Sequence, residues 1–474
     1  MKRDTIRILL LALALLAGSA AFARSFDVTM WRGETRALRL PDFCELGGDI
    51  KGITIRCGAL KAVKAAPREN PESLERRIIY DRVSWKKNAT GPRVIELTVS
   101  PDAKPGVYTS GLLRVKVIDR LLPPPKDWAF YLDLWQHPWA VARLAKAEPF
   151  SKAHYAAMKP VWELLATAGQ KTITVPILDM PWDHQCFDAY HSMIEGDDFS
   201  RFDTYVTFCL DCGLGPDISC YSLCPWTLGK TIDENELERR WGAFLDRFAA
   251  HVKAKGWFKN TIMAMDERTP EDVAKVVRFV QKHAPGMRIA MAGNRAPSDF
   301  KGITIDVYSQ VLHADHITPT FLAEAAARRE KGLVTTHYVC CWPTSPNTFL
   351  GSGESEAFFL GAASAFLGLD GFLRWAWNSW PLAPTDDGSY GSWTPGDTFL
   401  CYPEGEPSWR FLTLRNGIVA AEKIRILKAA GALKASDFEA VARLYDVRAA
   451  NEGRCRFGDV EKRTQELVNA PTAL

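Results

Sequence analysis

The sequence predicts an α/β protein: a (β/α)8 TIM-like barrel preceded by an N-terminal antiparallel β-sandwich. Three observations predict it. After residue 126, strand-like runs alternate with amphipathic helices over roughly 300 residues, the unit and length of such a barrel. Before residue 122, the apolar runs are short, alternating or β-branched, with polar turns between them. Between the two lies Leu121-Leu122-Pro123-Pro124-Pro125-Lys126, a stiff linker. The chain has 474 residues, 47% hydrophobic and 24% charged, which is ample core for two bodies. That balance excludes a disordered chain and a multi-span membrane protein.

The first 23 residues read as a secretory signal peptide. Lys2, Arg3 and Arg7 form a positive start, residues 8–17 an apolar run, and Ala21-Phe22-Ala23 a cleavage site. About ten apolar residues are too few for the ~20 of a membrane span. Ser19 stands where a lipoprotein would need Cys. The expected mature chain is periplasmic or secreted, with no integral membrane segment. The net charge of the whole chain is only +3, which excludes a surface selected for nucleic acid or anionic membrane.

The expected domains are a sandwich over 24–122, a barrel over 127–428 and a helical extension over 429–474. Sandwich strands are expected at 50–55, 93–99 and 111–117, with Pro105-Gly106 as a turn. Barrel strands are expected at 128–135, 171–178, 217–223, 260–265, 288–292, 303–308, 333–339 and 371–377. Helices are expected at 152–168, 202–212, 234–255, 270–283, 319–331, 354–366 and 409–427. The fifth and sixth strands have only a short connection, so one helix is reduced. Eleven cysteines include Cys209-x-x-Cys212 with Cys220 and Cys224. Their helix and strand settings and loose spacing favour buried thiols over zinc. Cys44 and Cys57 flank a hairpin-like stretch and are candidates for a disulfide after export. The His313-x-x-His316 pair has neither a helical setting nor a third ligand, so no metal is expected.

Barrel enzymes carry their chemistry at the C-terminal strand ends. The ends here supply Trp135, Trp182 and Asp183, Tyr221, Asp266 and Glu267, Asn294, Tyr308, Trp342, and Trp375, Trp377 and Asn378, with Trp226 in a following loop. Aromatic and amide groups suit a sugar, and no Gly-rich phosphate loop is present. Trp375 and Trp377 share strand parity and are candidate pocket walls. Tyr221, Asp183, Asn294 and Asn378 are candidates to hold an acetamido group or hydroxyls. Core packing competes for each Trp, and loop capping for the polar residues.

Asp266-Glu267 follows the apolar run Thr261-Ile262-Met263-Ala264-Met265 directly. Two acids there are costly unless they face solvent or do work. Neighbours in a strand point to opposite faces, so the two converge on one ligand only because the strand ends. Adjacent carboxylates suit a substrate-assisted glycosidase, in which one protonates the leaving oxygen and the other orients a 2-acetamido group. The competing role is capping of the helix that starts near Pro270.

The chain resembles glycoside hydrolase family 123, in its exported bacterial members. The resemblance rests on Tyr131-Leu132-Asp133-Leu134-Trp135-Gln136-His137-Pro138, Ala264-Met265-Asp266-Glu267-Arg268, Ala292-Gly293-Asn294, Pro346-Asn347-Thr348-Phe349 and Asp370-Gly371-Phe372-Leu373-Arg374-Trp375-Ala376-Trp377-Asn378-Ser379-Trp380. It implies an exo-β-N-acetylgalactosaminidase acting with retention on glycans or glycolipids. Asp266 would polarise the acetamido group, and Glu267 would be acid and then base. No cofactor is implied, because the substrate supplies the nucleophile. The closing helix departs from relatives at Arg415-Asn416-Gly417-Ile418-Val419-Ala420-Ala421, so altered packing is expected there. The same chemistry on N-acetylglucosamine is an alternative, as is a non-catalytic carbohydrate binder. A third is an ordinary two-carboxylate enzyme using Asp183 or Asp179 opposite Glu267.

Overall fold

The computed structural model describes residues 25–179, 187–221 and 234–470. The leader expected at 1–23 lies outside the described residues, as do Trp182, Asp183, Cys186, Cys224 and Trp226. Seven strands precede the linker: β1 Phe26–Arg32, β2 Thr35–Arg39, β3 Ile53–Ala65, β4 Arg77–Ser84, β5 Arg93–Val99, β6 Gly106–Ser110 and β7 Leu113–Leu121. The chain forms two compact units that do not follow chain order. One contains the residues up to Cys57 together with 93–122; the other contains 58–92 and everything from Pro123 on.

In the first unit, β7 alternates strictly at its start. Leu113, Val115 and Val117 are buried while Arg114 and Lys116 face out, as a half-buried strand requires. Met30, Ile95, Leu97, Val99 and Val115 close one apolar core. The pairs β6–β7 and β2–β5 are antiparallel. β1 departs from the expected antiparallel pattern and runs parallel to β7. Cys44 and Cys57, candidates for a disulfide, are free thiols, the first buried and the second exposed.

In the second unit, the β3–β4 hairpin pairs Ala59–Ala65 with Arg77–Ser84 and joins the barrel. Asp81 accepts Nε and a terminal N–H of Arg410, each at 3.1 Å, and the Tyr402 hydroxyl at 2.7 Å. Both members of this ion pair are buried. The Val83 and Lys64 backbone N–H groups donate to the carbonyls of Pro407 and Asp386 at 2.9 and 2.7 Å.

Eight parallel strands form the barrel: β8 Tyr131–Leu134, β9 Thr172–Pro176, β10 Asp217–Tyr221, β11 Thr261–Met265, β12 Arg288–Gly293, β13 Val307–Val311, β14 Val334–Tyr338 and β15 Gly371–Arg374. They pair in sequence from β9 to β15, and β15 returns to β8. The β8–β9 seam has one backbone bridge, Leu132 to Gln170. Two glutamine side chains complete it. Leu134 N–H donates to Gln170 Oε1 (3.0 Å), and Thr174 N–H donates to Gln136 Oε1 (2.8 Å). Side-chain amides thus stand in for a ladder that the backbone does not make, since buried N–H groups must be paired.

The longer helices are α1 Pro138–Ala145, α2 Lys152–Ala166, α3 Ser200–Asp211, α4 Ala243–Ala254, α5 Pro270–His283, α6 Pro319–Glu330, α7 Glu356–Leu367 and α8 Trp409–Ala429. Helix α5 shows why they form. Val273, Val276, Val277 and Val280 recur at helical spacing and are buried, and Thr269 caps the start by accepting Asp272 N–H. A π turn, Glu238–Gly242, leads into α4, so the helix expected at 234–255 is interrupted. Between β12 and β13 there is only the 3-10 turn Pro297–Asp299, the reduced helix. Strand β13 lies four residues beyond its expected start at 303. On α7 and α8, Gly361 and Gly417 mark a close crossing: a Cβ on either would come within 2.4 Å of a carbonyl oxygen of the other helix. This is the packing of the divergent closing-helix segment. Three further helices, α9 Ala435–Ala442, α10 Val447–Asn451 and α11 Phe457–Val468, follow. No helix among the described residues is long and apolar enough to cross a membrane.

The Asp81–Arg410 pair makes a stability prediction. Asp81→Ala leaves a buried guanidinium without its counter-charge and is expected to cost about 3–5 kcal/mol. Denaturant unfolding followed by tryptophan fluorescence checks it; a loss below about 1 kcal/mol would mean the hairpin is not anchored there.

Candidate functional site

Strand β11 is buried throughout and ends at Met265. Asp266 and Glu267 follow at the C-terminal mouth. Thr269 performs the capping of α5, so neither acid is engaged in that role. The two carboxylates meet different neighbours. Asp266 pairs with Arg268 at 3.0 Å, and its charge is felt by the buried Tyr221. Glu267 accepts Nδ2 of Asn294 on Oε2 at 3.2 Å and the Tyr338 hydroxyl on Oε1. Asn294 directly follows β12, and Tyr338 is the last residue of β14. Three strand ends therefore converge on one carboxylate. Burial, reinforced by Glu267, pushes the Tyr338 hydroxyl far up, so it stays protonated and donates.

A cleft of about 490 Å3 opens beside Glu267. Asn294, Arg295, Val311, His316, Tyr338, Cys340, Cys341 and Trp342 line it with Glu267. Trp342 is 43% exposed, and its ring lies 4.1 Å from that of His313. An exposed indole braced by a second ring offers a flat apolar face. On the other side of Asp266, Tyr221 packs on Trp135 with ring centroids 4.6 Å apart. Beneath them Asp133 is buried, accepting the Thr172 hydroxyl at 2.5 Å, and burial raises its pKa to about 6.

The remaining expected residues are placed differently. Trp375 is buried, donates to Asp397 at 3.0 Å and stacks at a tilt on Trp393. Trp377 is fully buried against Phe411 of α8, so it is core and not a pocket wall. Asn378 is also fully buried. It brackets the backbone of His137, accepting its N–H at 2.8 Å and donating to its carbonyl at 2.9 Å. These two hydrogen bonds occupy the amide that a sugar hydroxyl would need. Asp179 is exposed and accepts Ser192 N–H at 2.7 Å. Cys209, Cys212 and Cys220 are buried free thiols. Among the described residues no three His, Cys, Asp or Glu side chains are grouped to hold a metal.

Tyr338, Arg295, Val311 and His316 were not singled out for the site from the sequence. Tyr338 had a signal, as an aromatic at the end of an expected strand, but it sits inside an apolar run that reads equally as core.

The profile of the glycoside hydrolase 123 catalytic domain matches residues 135–427. The chain belongs to glycoside hydrolase family 123. It is a glycosidase, and all the cleft residues of this family 123 chain lie inside the matched segment. No curated protein sequence matches it. A family 123 glycoside hydrolase from Clostridium perfringens, whose structure addresses glycolipid glycan hydrolysis, is similar in fold. It is 23% identical, covers 94% of this chain and 93% of its own, and has a TM-score of 0.78. A bacterial Ig-like-domain-containing GH10 xylanase from termite gut covers 86% of this chain and 100% of its own at 12% identity and TM-score 0.37. The GH53 catalytic domain of Ignisphaera aggregans covers 63% and 97% at 13% identity and TM-score 0.39.

Asp133 makes a pH prediction. Its folded pKa, about 6, is above the ordinary value of 3.8. The fold therefore holds this proton more tightly than the unfolded chain does. That contribution is complete below about pH 4 and is lost as pH rises through about 6. Asp133→Asn is expected to remove this part of the slope, a difference on the order of 1–3 kcal/mol between the two proteins across that window. Parallel unfolding curves at pH 4, 5, 6 and 7 measure it; equal slopes would refute the assignment.

Proposed function

We propose that this family 123 glycosidase is an exo-β-N-acetylgalactosaminidase that works by substrate-assisted retention, outside the cytoplasm, on terminal sugars of glycans or glycolipids. One observation carries the reading: adjacent carboxylates directly follow β11 while Thr269 takes the capping role that would otherwise explain them. The Clostridium perfringens relative acts on glycolipid glycans, which supports the substrate class. The apolar leader supports export.

In this scheme the glycosidic oxygen sits at Glu267, replacing one of its two donors. Glu267 gives it a proton as the C1–O bond breaks. The substrate acetamido oxygen attacks C1 from the opposite face and forms an oxazolinium ion. Asp266 accepts the amide N–H and balances the developing positive charge. Glu267, now ionised, takes a proton from water as that water attacks C1, and the product keeps its configuration. Trp342 supplies the stacking face. The same chemistry on N-acetylglucosamine differs only at the C4 hydroxyl and is the second reading.

The test compares aryl β-N-acetylgalactosaminide, β-N-acetylglucosaminide and β-galactoside. Hydrolysis of the first alone, with loss of at least about a hundredfold in Asp266→Asn and Glu267→Gln, is expected. Cleavage of the β-galactoside would overturn the acetamido mechanism. Tyr338→Phe removes a hydrogen bond that orients Glu267, and kcat is expected to fall about tenfold or more with KM nearly unchanged. An unaltered kcat would make Tyr338 a packing residue only.

A further inference from the structure

Cys340 and Cys341 stand on the cleft wall between Tyr338, which donates to Glu267, and the half-exposed Trp342. Their sulfurs are 3.9 Å apart. The surrounding chain is pinned. Arg374 donates to the Val339 carbonyl at 3.0 Å, and Asn347 Nδ2 donates to the Cys340 carbonyl at 2.9 Å. The Cys340 N–H and thiol both donate to the Trp342 carbonyl, at 3.2 and 3.3 Å. The pair differs from other thiols of the barrel unit. Cys209, Cys220 and Cys401 are fully buried, and burial pushes each thiol up, so they are inert. Cys341 is exposed, and contact with the Cys340 sulfur draws its thiol down to about 7. It is the nucleophile of the pair, and Cys340 is the resolving thiol.

We propose that Cys340 and Cys341 form a reversible dithiol–disulfide switch in the wall of the candidate active-site cleft, oxidised by low-molecular-weight disulfides. The Cys341 thiolate attacks one sulfur of the small disulfide and expels one thiolate. Cys340 loses its proton to solvent and attacks the Cys341 sulfur of the mixed disulfide, expelling the second. Net, one small disulfide and two protein thiols become one protein disulfide and two small thiols. Neighbouring Cα atoms are only about 3.8 Å apart, shorter than the ~4.4–6.8 Å that a relaxed disulfide spans. The bridge is therefore strained and easily reduced, which suits a reversible mark and not a structural staple. Closing it removes the Cys340 thiol from the Trp342 carbonyl and turns the intervening peptide. The platform moves relative to Glu267. The effect on turnover rests on the proposed glycosidase reading; the thiol chemistry does not.

The full chain is incubated with oxidised glutathione in mildly alkaline buffer. Free thiols are then alkylated, and the peptide carrying Cys340 and Cys341 is mapped by mass spectrometry. Tryptophan fluorescence and hydrolysis of the aryl glycoside are followed in parallel. The peptide is expected to lose two hydrogens and to resist alkylation. Fluorescence is expected to shift in the wild type but much less in Trp342→Phe. The rate is expected to fall about tenfold or more, since small misplacements at a site cost that much. Dithiothreitol should restore all three. Cys340→Ser should stop at the Cys341 mixed disulfide with glutathione, and Cys341→Ser should react far more slowly. Full alkylation of both thiols after oxidation overturns the proposal, as does a disulfide that leaves both fluorescence and rate unchanged. If no aryl glycoside is cleaved, the peptide map and the Trp342-dependent fluorescence still decide the switch, and the function reading fails separately.

Discussion

The mouth of the barrel hangs on one buried ion pair. Arg374, the last residue of β15, and Asp397 are both fully buried and meet at 2.7 Å. The guanidinium also donates to the carbonyls of Asp397 and Val339, at 2.8 and 3.0 Å. Asp397 in turn accepts the Trp375 indole N–H. Burial pushes the Asp397 carboxyl up, and Arg374 opposes that push only in part. A charge taken out of water is costly unless its partner and remaining hydrogen bonds are in place. That cost makes the arrangement all-or-none: the loop after β14 and the loop after β15 are held together or not at all. Arg410 repeats the device one layer out, donating to the carbonyls of Thr348, Gly396 and Phe399 while it holds Asp81. Loops with little regular structure are thereby fixed by two guanidinium groups.

The consequence reaches Glu267 through Val339. Tyr338 precedes that residue and donates to Glu267; Cys340, Cys341 and Trp342 follow it and form the cleft wall. The ion pair thus sets the position of both Tyr338, which donates to Glu267, and the half-exposed Trp342. The β12 side is set differently. Gly293 leaves room for the Tyr308 hydroxyl, which a Cβ would meet at 2.5 Å, and that hydroxyl holds the Arg295 carbonyl. Asn294 lies between these two residues, so its reach to Glu267 follows from a glycine that no larger residue can replace without displacing Tyr308.

The eight barrel strands were legible because each is a short apolar run and all but the fifth are followed by a helix-period segment, and both periods are local. The Asp266-Glu267 pair was legible because polarity changes abruptly at the end of one such run. The residues misread are those whose place depends on where a strand stops. A strand is expected at 303–308, where Ile303, Thr304 and Ile305 are β-branched, but pairing starts at Val307. Tyr308 is consequently an interior residue and not a strand end. The eighth strand was expected to reach Trp377, and it stops at Arg374. Parity no longer governs Trp377 and Asn378 past that point, and both turn into the core. The parallel β1–β7 pair had no local signal at all, since its partners are separated by more than 80 residues. Tyr338 is a tertiary case: an aromatic at the end of an apolar strand acquires its role only from a carboxylate three strands away.

The different surroundings of the two acids argue for a division of labour between them. Asp266 pairs with a guanidinium, and under the proposed scheme such a carboxylate would accept an amide N–H and balance a positive ring. Glu267 accepts hydrogen bonds from two neutral donors, an amide and a phenol that holds its proton. Those donors can yield one oxygen to an incoming glycosidic oxygen without leaving a charge unpaired. A nucleophile must remain ionised and a general acid must cycle its proton, and enzymes separate such roles by environment. In the substrate-assisted scheme the enzyme needs only the second of these functions plus an orienting charge. The described residues provide those two environments on consecutive positions. An ordinary retaining pair would need its second carboxylate about 5–5.5 Å across the cleft. The described cleft beside Glu267 offers instead Trp342, two thiols and His316, groups that can stack on or bound a sugar but cannot replace a carboxylate at the anomeric carbon.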